Sequence, residues 1–229
     1  MLKTRITELF GIKYPIISAP MGPFYTTELT IAVSEVGGLG VVSHATLQGK
    51  NSVKDMLEQL EYVLEHTDKP FGVNVRTARI QTDHKIMLRK ITQTINQNPK
   101  LREQLVYIIT SAGGSKFASK LLKEKTPNVK HFHVSPALWL VDKSFAAGCD
   151  GVCATGTEGG GHQSYEGITT LVLVSQVARK YPEKLLVACG GIASPETVAA
   201  GLAMGADAVA MGTRFIASTE SEFHPNYKA

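Results

Sequence analysis

Cysteine is scarce in this 229-residue chain: there are 3. An odd handful of thiols makes no disulfide scaffold. With no apolar leader ahead of the first structured residues, the chain reads as a cytoplasmic protein with reduced thiols. Charge is also sparse, at 19% of residues, with 24 Lys and Arg against 20 Asp and Glu for a formal net charge of +4. No basic stripe follows. The densest basic stretch, 116–130, is interleaved with apolar residues at helical spacing and reads as the wet face of a helix, so no nucleic-acid partner is expected. No apolar run reaches the roughly 18–20 residues of a membrane span. No G-x-G-x-x-G opens the first helix, where Ala19-Pro20-Met21-Gly22-Pro23 stands instead, which argues against an open dinucleotide-binding sheet.

What the chain has in quantity is apolar sequence, 43%, and glycine, 21 residues. Disorder is excluded. A chain of this length buries roughly 70–75% of its unfolded surface on folding, enough for one sizeable core. Short apolar runs alternate with longer amphipathic stretches from end to end. The runs 14–17, 40–42, 71–75, 105–109, 131–134, 151–154, 185–188 and 208–211 predict eight strands. They lack polar alternation, as strands buried on both faces do. Helices are predicted over 27–36, 53–65, 116–125, 138–147, 170–180 and 195–204, with more than one helical piece in 83–104. Gly148-Cys149-Asp150-Gly151-Val152 resembles Gly205-Ala206-Asp207-Ala208-Val209. Each reads as a helix exit followed by an Asp turn into a strand, which makes Asp150 and Asp207 turn formers, not catalytic acids. Eight βα units predict an α/β fold, a (β/α)8 TIM barrel forming a single domain over 1–229.

Barrel chemistry gathers at the C-terminal ends of the strands. Gly190-Gly191 follows strand seven, and Gly212-Thr213 follows strand eight and opens a short helical turn. Glycine there lets backbone N–H groups approach a ligand, and a phosphate is the anion such a cup suits. Gly159-Gly160-Gly161 precedes His162 after strand six. An imidazole with a pKa near ~6.5 is mostly free base at neutral pH, so His162 is the candidate proton acceptor. His131 and His133 share a strand face, but no carboxylate or Cys stands at ligand spacing, so no metal site is expected. His44 follows strand two, at the mouth. Cys149, Cys153 and Cys189 lie in or beside core strands and read as inert buried thiols.

These motifs, taken together, carry a resemblance. Gly11-Ile12-Lys13-Tyr14-Pro15-Ile16-Ile17, Ala19-Pro20-Met21-Gly22, Gly72-Val73-Asn74, Gly156-Thr157-Glu158-Gly159-Gly160-Gly161-His162, Gly190-Gly191-Ile192 and Met211-Gly212-Thr213-Arg214-Phe215 stand in one order. In that order they resemble the nitronate monooxygenases, formerly called 2-nitropropane dioxygenases. The flavin-dependent enoyl-acyl carrier protein reductases share nearly all of them. The resemblance implies an FMN cofactor across the barrel mouth. Met21 and Gly22 would run beside the flavin ring, Asn74 would hydrogen-bond it, and Gly160 would pass close to it. Gly190 and Gly191, with Ala210, Met211, Gly212 and Thr213, would hold its phosphate. His162 would be the catalytic base.

The implied reaction oxidises an alkyl nitronate with dioxygen to a carbonyl compound and nitrite. Reduction of an enoyl thioester by NAD(P)H through FMN is the alternative. A barrel that binds flavin without turnover is a third. A homodimer is compatible with each. An inosine-monophosphate-dehydrogenase-like barrel is set aside, because its Cys nucleophile has no counterpart on the loop after strand six. Thr155 departs from the resemblance, standing where many members carry a Gln that reaches the flavin. Ser115 stands where a Pro often follows the strand-four glycines. The segment 83–102 is long and polar. Relatives continue past His224-Pro225-Asn226-Tyr227-Lys228, so the barrel is expected to lack C-terminal closing helices.

Overall fold

The computed structural model describes residues 2–45, 52–80, 82–161, 163 and 165–228. Its eight strands are β1 (Ile16–Ser18), β2 (Gly40–Val42), β3 (Phe71–Arg76), β4 (Leu105–Ser111), β5 (Lys130–Ser135), β6 (Gly151–Thr155), β7 (Leu185–Cys189) and β8 (Ala208–Met211). They form one sheet in the order β1-β8-β7-β6-β5-β4-β3-β2, parallel throughout. Helix α1 (Arg5–Phe10) precedes β1, and α2 (Thr27–Glu35) and α3 (Ser52–His66) follow β1 and β2. Next come α4 (His84–Gln97), α5 (Pro99–Gln104), α6 (Lys116–Lys125), α7 (Leu138–Ala146), α8 (Thr170–Lys180) and α9 (Pro195–Ala203). Two short helices, α10 (Thr213–Ile216) and α11 (Pro225–Lys228), come after β8.

β1 pairs with β8, with Ile16 opposite Val209. On its other side β1 meets β2 through an Ile17–Leu39 bridge. There the Ser18 N–H donates to the Leu39 carbonyl at 3.0 Å, and the Val41 N–H donates to Ser18 Oγ at 2.8 Å. The sheet is a nearly closed (β/α)8 barrel, as the sequence predicts. Strand bounds differ from expectation at their ends. β1 starts at Ile16, not at Tyr14, because Pro15 has no N–H and the Tyr14 N–H is spent on the Gly37 carbonyl. β4 runs on to Ser111 because β3 stays paired with it as far as Arg76. The break between α4 and α5 falls at Asn98. Its backbone is extended, its side chain accepts the Leu101 N–H, and Pro99 takes the first position of α5.

Alternation fixes the two faces of every strand. Ile17, Leu39, Val41, Tyr107, Ile109, Phe132, Cys153, Val187, Ala208 and Ala210 fill the lumen, with Ile6 and Phe10 of α1 inserted from below. The Phe10, Tyr107 and Phe132 rings pack at centroid distances of 5.0–6.3 Å. Two glycines make room for them. A Cβ on Gly151 would lie 2.2 Å from Phe132 Cε1, and one on Gly72 would lie 2.6 Å from Tyr107 Cδ1.

Both Asp turns work as strand clamps at the lower rim. The Asp150 N–H donates to the His131 carbonyl at 2.9 Å while its Oδ2 accepts the His131 N–H at 2.8 Å. Asp207 repeats the pair on Leu186 at 2.7 and 2.9 Å. It also takes a forked ion pair from Arg5, at 2.6 and 2.8 Å. The preceding Gly148 and Gly205 have φ of 92° and 100°, a region that other residues rarely enter.

His131 and His133 face outward, toward α6. Thr110 Oγ1 lies 2.9 Å from His131 Nε2 and 2.7 Å from His133 Nδ1, and Ser119 Oγ lies 2.8 Å from His131 Nδ1. Burial pushes His131 down to about 3, with His133 and Lys123 adding to it, and pushes His133 down to about 4 against a hydrogen bond that its ring donates to the Gly113 backbone. The folded pair is therefore neutral where the unfolded imidazoles, near 6.5, take up protons. Below that value the unfolded chain binds more protons, so stability is full at neutral pH and falls as pH drops toward the folded values. A urea midpoint that declines steadily between about pH 7 and pH 5 is expected. A flat midpoint over that range would contradict a neutral buried pair. Among the described residues no helix is long and apolar enough to cross a membrane.

Candidate functional site at the barrel mouth

The strand C-termini surround one mouth. Counted by alternation from the core, the last side chains on the lumen face are Ala19, Ser43, Arg76, Ser111, Val134, Thr155, Cys189 and Gly212. The loops beyond them carry the residues expected from sequence, and the structure brings most of them together.

Gly212 and Met21 meet across the β8–β1 seam. A Cβ on Gly212 would find its nearest neighbours at Met21 Sδ, 3.8 Å, and Ala19 Cβ, 4.0 Å. The Met21 N–H donates to Ser43 Oγ at 2.8 Å, which ties the β1 loop, with Gly22 at its exposed edge, to the end of β2. Gly212 is the N-cap of α10 and offers no side chain to its first turn, which begins at the exposed Thr213. The first N–H groups of any helix lack intrahelical partners, so these are donors for a ligand. Ala210 and Met211 supply backbone alone. Ala210 is buried in the lumen, while Met211 packs outward against Val209 and the helices, and its carbonyl accepts the Ala19 N–H.

Across the seam between β6 and β7, the glycines are close-packed below and open above. A Cβ on Gly190 would lie 2.6 Å from Thr170 Oγ1 and 2.9 Å from the Gly159 nitrogen; one on Gly191 would lie 3.2 Å from Glu158 Cβ. A Cβ on Gly160 or Gly161 would meet nothing within 4 Å. Glu158 braces this corner. Its Oε2 accepts the Thr170 N–H at 2.8 Å and the Thr170 hydroxyl at 2.9 Å, so it caps α8, whose own N-cap Thr169 makes no side-chain bond. Burial raises the Glu158 carboxyl, but these bonds and one from its own backbone N–H outweigh it and hold the pKa below the usual range.

Asn74 is 2% exposed and spends its amide hydrogens on the Ile109 carbonyl, 3.0 Å, and Ser111 Oγ, 3.2 Å. Its carbonyl oxygen is the group left for a ligand. Thr155 is buried at the end of β6 and donates to the Cys153 carbonyl at 3.4 Å. Cys153 and Cys189, read from the sequence as buried inert thiols, are free cysteines and neighbours in the structure. A hydrogen bond between them, with burial, raises Cys153 well above the ordinary thiol value; the same bond lowers Cys189 against burial. His162 lies outside the described residues.

Four contributors to this rim were not singled out as site residues by the sequence: Ser43, Ser111, Glu158 and Arg76. The available signal was parity. Each stands at or just past a strand end, and Arg76 shares the face of Asn74, two residues on. Among the described residues no group of three or more His, Cys, Asp or Glu side chains is placed to hold a metal ion.

Comparison with known proteins bears on the family and the fold. The family model described as nitronate monooxygenase matches residues 3–229. The (3aS,4S,5R,7aS)-5-hydroxy-7a-methyl-1-oxo-octahydro-1H-indene-4-carboxyl-CoA dehydrogenase of Rhodococcus jostii is 32% identical over 96% of this chain and 57% of its own length. A probable nitronate monooxygenase of Staphylococcus saprophyticus is 30% identical over 99% of this chain and 72% of its own. The structure of FabK from Thermotoga maritima superposes with a TM-score of 0.86 at 34% identity, covering 100% of this chain and 67% of that one. The chain thus spans little more than half of the dehydrogenase and about two thirds of FabK. With its motifs, its barrel and its matched length in agreement, the chain belongs to the nitronate monooxygenase family.

Proposed function

We propose that this chain forms an FMN-dependent oxidoreductase in which alkyl nitronates are oxidised by dioxygen to carbonyl compounds and nitrite. One observation carries the cofactor. The mouth has a surface free of side chains along the β6 and β8 loops, at Gly160, Gly161 and Gly212, with Met21 at its edge. A planar ring and a phosphate need such a surface, and the protein's own packing does not require it. Backbone N–H groups at Gly191, Gly212 and Thr213, following Gly190, Ala210 and Met211, would hold the phosphate. Met21, Gly22 and Gly160 would border the ring, Thr155 would close the floor beneath it, and the Asn74 carbonyl would accept a ring N–H.

When bound, FMN supplies the redox chemistry between nitronate and dioxygen. The chain's own part is to orient the substrate and move a proton. His162 is the proposed base, taking the α-proton of a neutral nitroalkane. The unit proposed to do this is the single barrel domain, 1–229.

A second reading has its own support. The Rhodococcus jostii relative is named as a dehydrogenase of a carboxyl-CoA thioester, which favours thioester chemistry, and reduction of an enoyl thioester by NAD(P)H is the form it would take here. Oxygen uptake and nitrite release separate the two. The FMN-loaded chain is expected to be yellow and to release nitrite from alkyl nitronates without NAD(P)H. NAD(P)H oxidation that depends on an enoyl thioester, with no nitrite, would replace this reading by the second. Bound flavin with neither turnover would leave a binding function alone.

A further inference from the structure

We propose that Arg76 is the substrate's anion anchor, its guanidinium fork holding the two oxygens of a planar XO2 group, a nitronate or a carboxylate. This deepens the reading above and rests on it for the mouth being where substrate enters. Of the eight side chains that end the lumen face of the strands, Ala19, Ser43, Ser111, Val134, Thr155, Cys189 and Gly212 are uncharged; Arg76 is the one ion. It is half-buried. Among the described residues no carboxylate lies within 4.0 Å of it, and its guanidinium donates no hydrogen bond. A guanidinium offers five donors and no acceptor, which suits it to an anion.

The mounting is rigid. The Arg76 N–H donates to His44 Nδ1 at 3.1 Å, and Arg76 sits opposite Ser111 in the β3–β4 register. The next N–H, of Thr77, donates to the Ser111 carbonyl at 2.8 Å. Gly113 then crosses so closely that a Cβ on it would lie 2.0 Å from the Thr77 carbonyl oxygen. His44 is 1% exposed, with Nε2 3.8 Å from Asp83 Oδ2. Burial lowers it to about 4, Arg76 and His84 adding to this and Asp83 opposing it, so it stays neutral and its Nδ1 remains an acceptor.

Position excludes the cofactor phosphate as the partner. In the closed order of strands, β3 is four steps from β7 in either direction, so Arg76 stands across the mouth from the Gly190–Gly191 loop. The anion it meets is a second one. A planar fork matches two coplanar oxygens, which nitronates and carboxylates both present and which a lysine would hold only as a point charge. For a nitroalkane, the same charge favours the anion formed as the α-proton leaves.

Sodium nitrate and sodium acetate, titrated into FMN-loaded protein at constant ionic strength, are expected to perturb the flavin absorbance saturably. Arg76→Gln should keep its FMN and weaken both at least about tenfold, with Arg76→Lys intermediate. With an alkyl nitronate, Arg76→Gln should raise KM about 10- to 100-fold and change kcat less than about threefold. Anion binding that depends on Arg76, without nitrite release, supports the anchor while removing the nitronate reading; tighter acetate than nitrate then assigns a carboxylate substrate. Normal nitrite release with an unchanged KM in Arg76→Gln overturns the anchor and leaves the nitronate reading intact. Phenylglyoxal mapping of the wild-type protein needs no variant to fold: nitrate should protect Arg76, and equal modification with and without nitrate overturns the proposal.

Discussion

Gly212→Asp is expected to leave the barrel folded and to strip it of FMN. The protein itself has room for the side chain. A Cβ at Gly212 meets only Met21 Sδ at 3.8 Å and Ala19 Cβ at 4.0 Å, both ordinary contacts. What the carboxylate would oppose is a phosphate dianion. Like charges brought together in a partly desolvated site cost several kcal/mol, and each ~1.4 kcal/mol is tenfold in affinity, so a Kd for FMN at least about 100-fold weaker is expected. Gly212→Ala, which adds bulk without charge, should bind FMN much more nearly like wild type. Equilibrium dialysis of FMN beside thermal unfolding of the apoprotein reads both halves of the expectation. Wild-type affinity in Gly212→Asp would move the phosphate away from this loop.

His162→Ala is the second large effect. The variant is expected to keep FMN and to lose about 10²- to 10⁴-fold in turnover of a neutral nitroalkane, the usual worth of a positioned general base. A preformed nitronate has already lost that proton, so its turnover should fall far less. The wild-type pH profile for the neutral substrate should show a limb, from a group that must be unprotonated to act, that the variant lacks. Equal losses on both substrates would make His162 an orienting group, and no loss on either would remove it from the mechanism.

Much of the architecture is readable in the one-letter string because burial on both faces leaves most strand positions apolar. The runs at 40–42 and 208–211 are recovered to the residue. The Gly-x-Asp exits announce the ends of α7 and α9 because a left-handed residue followed by a turn former has few other uses. Their partners are not readable. Nothing near Asp207 in sequence points to Arg5, 202 residues away. The glycine loops of the mouth stand out because a backbone surface requires one residue type. Arg76 stands out less, because Val73-Asn74-Val75-Arg76 reads as an ordinary strand leaving the core; alternation puts its fourth residue on the face of Asn74, and the register against β4 shows that this face is the lumen. Glu158, set amid glycines, carries no legible role in the string. Its work as a remote cap for α8, twelve positions on, becomes visible only when the β6 loop has folded back over Thr170.

The seam between β1 and β8 has a consequence for synthesis. Ile16 finds its partner in Val209, and Arg5 finds Asp207. A ribosome releases this chain from its N-terminus, so the first strand emerges nearly two hundred residues ahead of its neighbour. Throughout that interval the nascent sheet carries an apolar edge with free backbone donors and acceptors, the feature that most invites pairing with another chain. Closure late in translation makes the period before it, and not the finished barrel, the stage at which a chaperone has the most to protect.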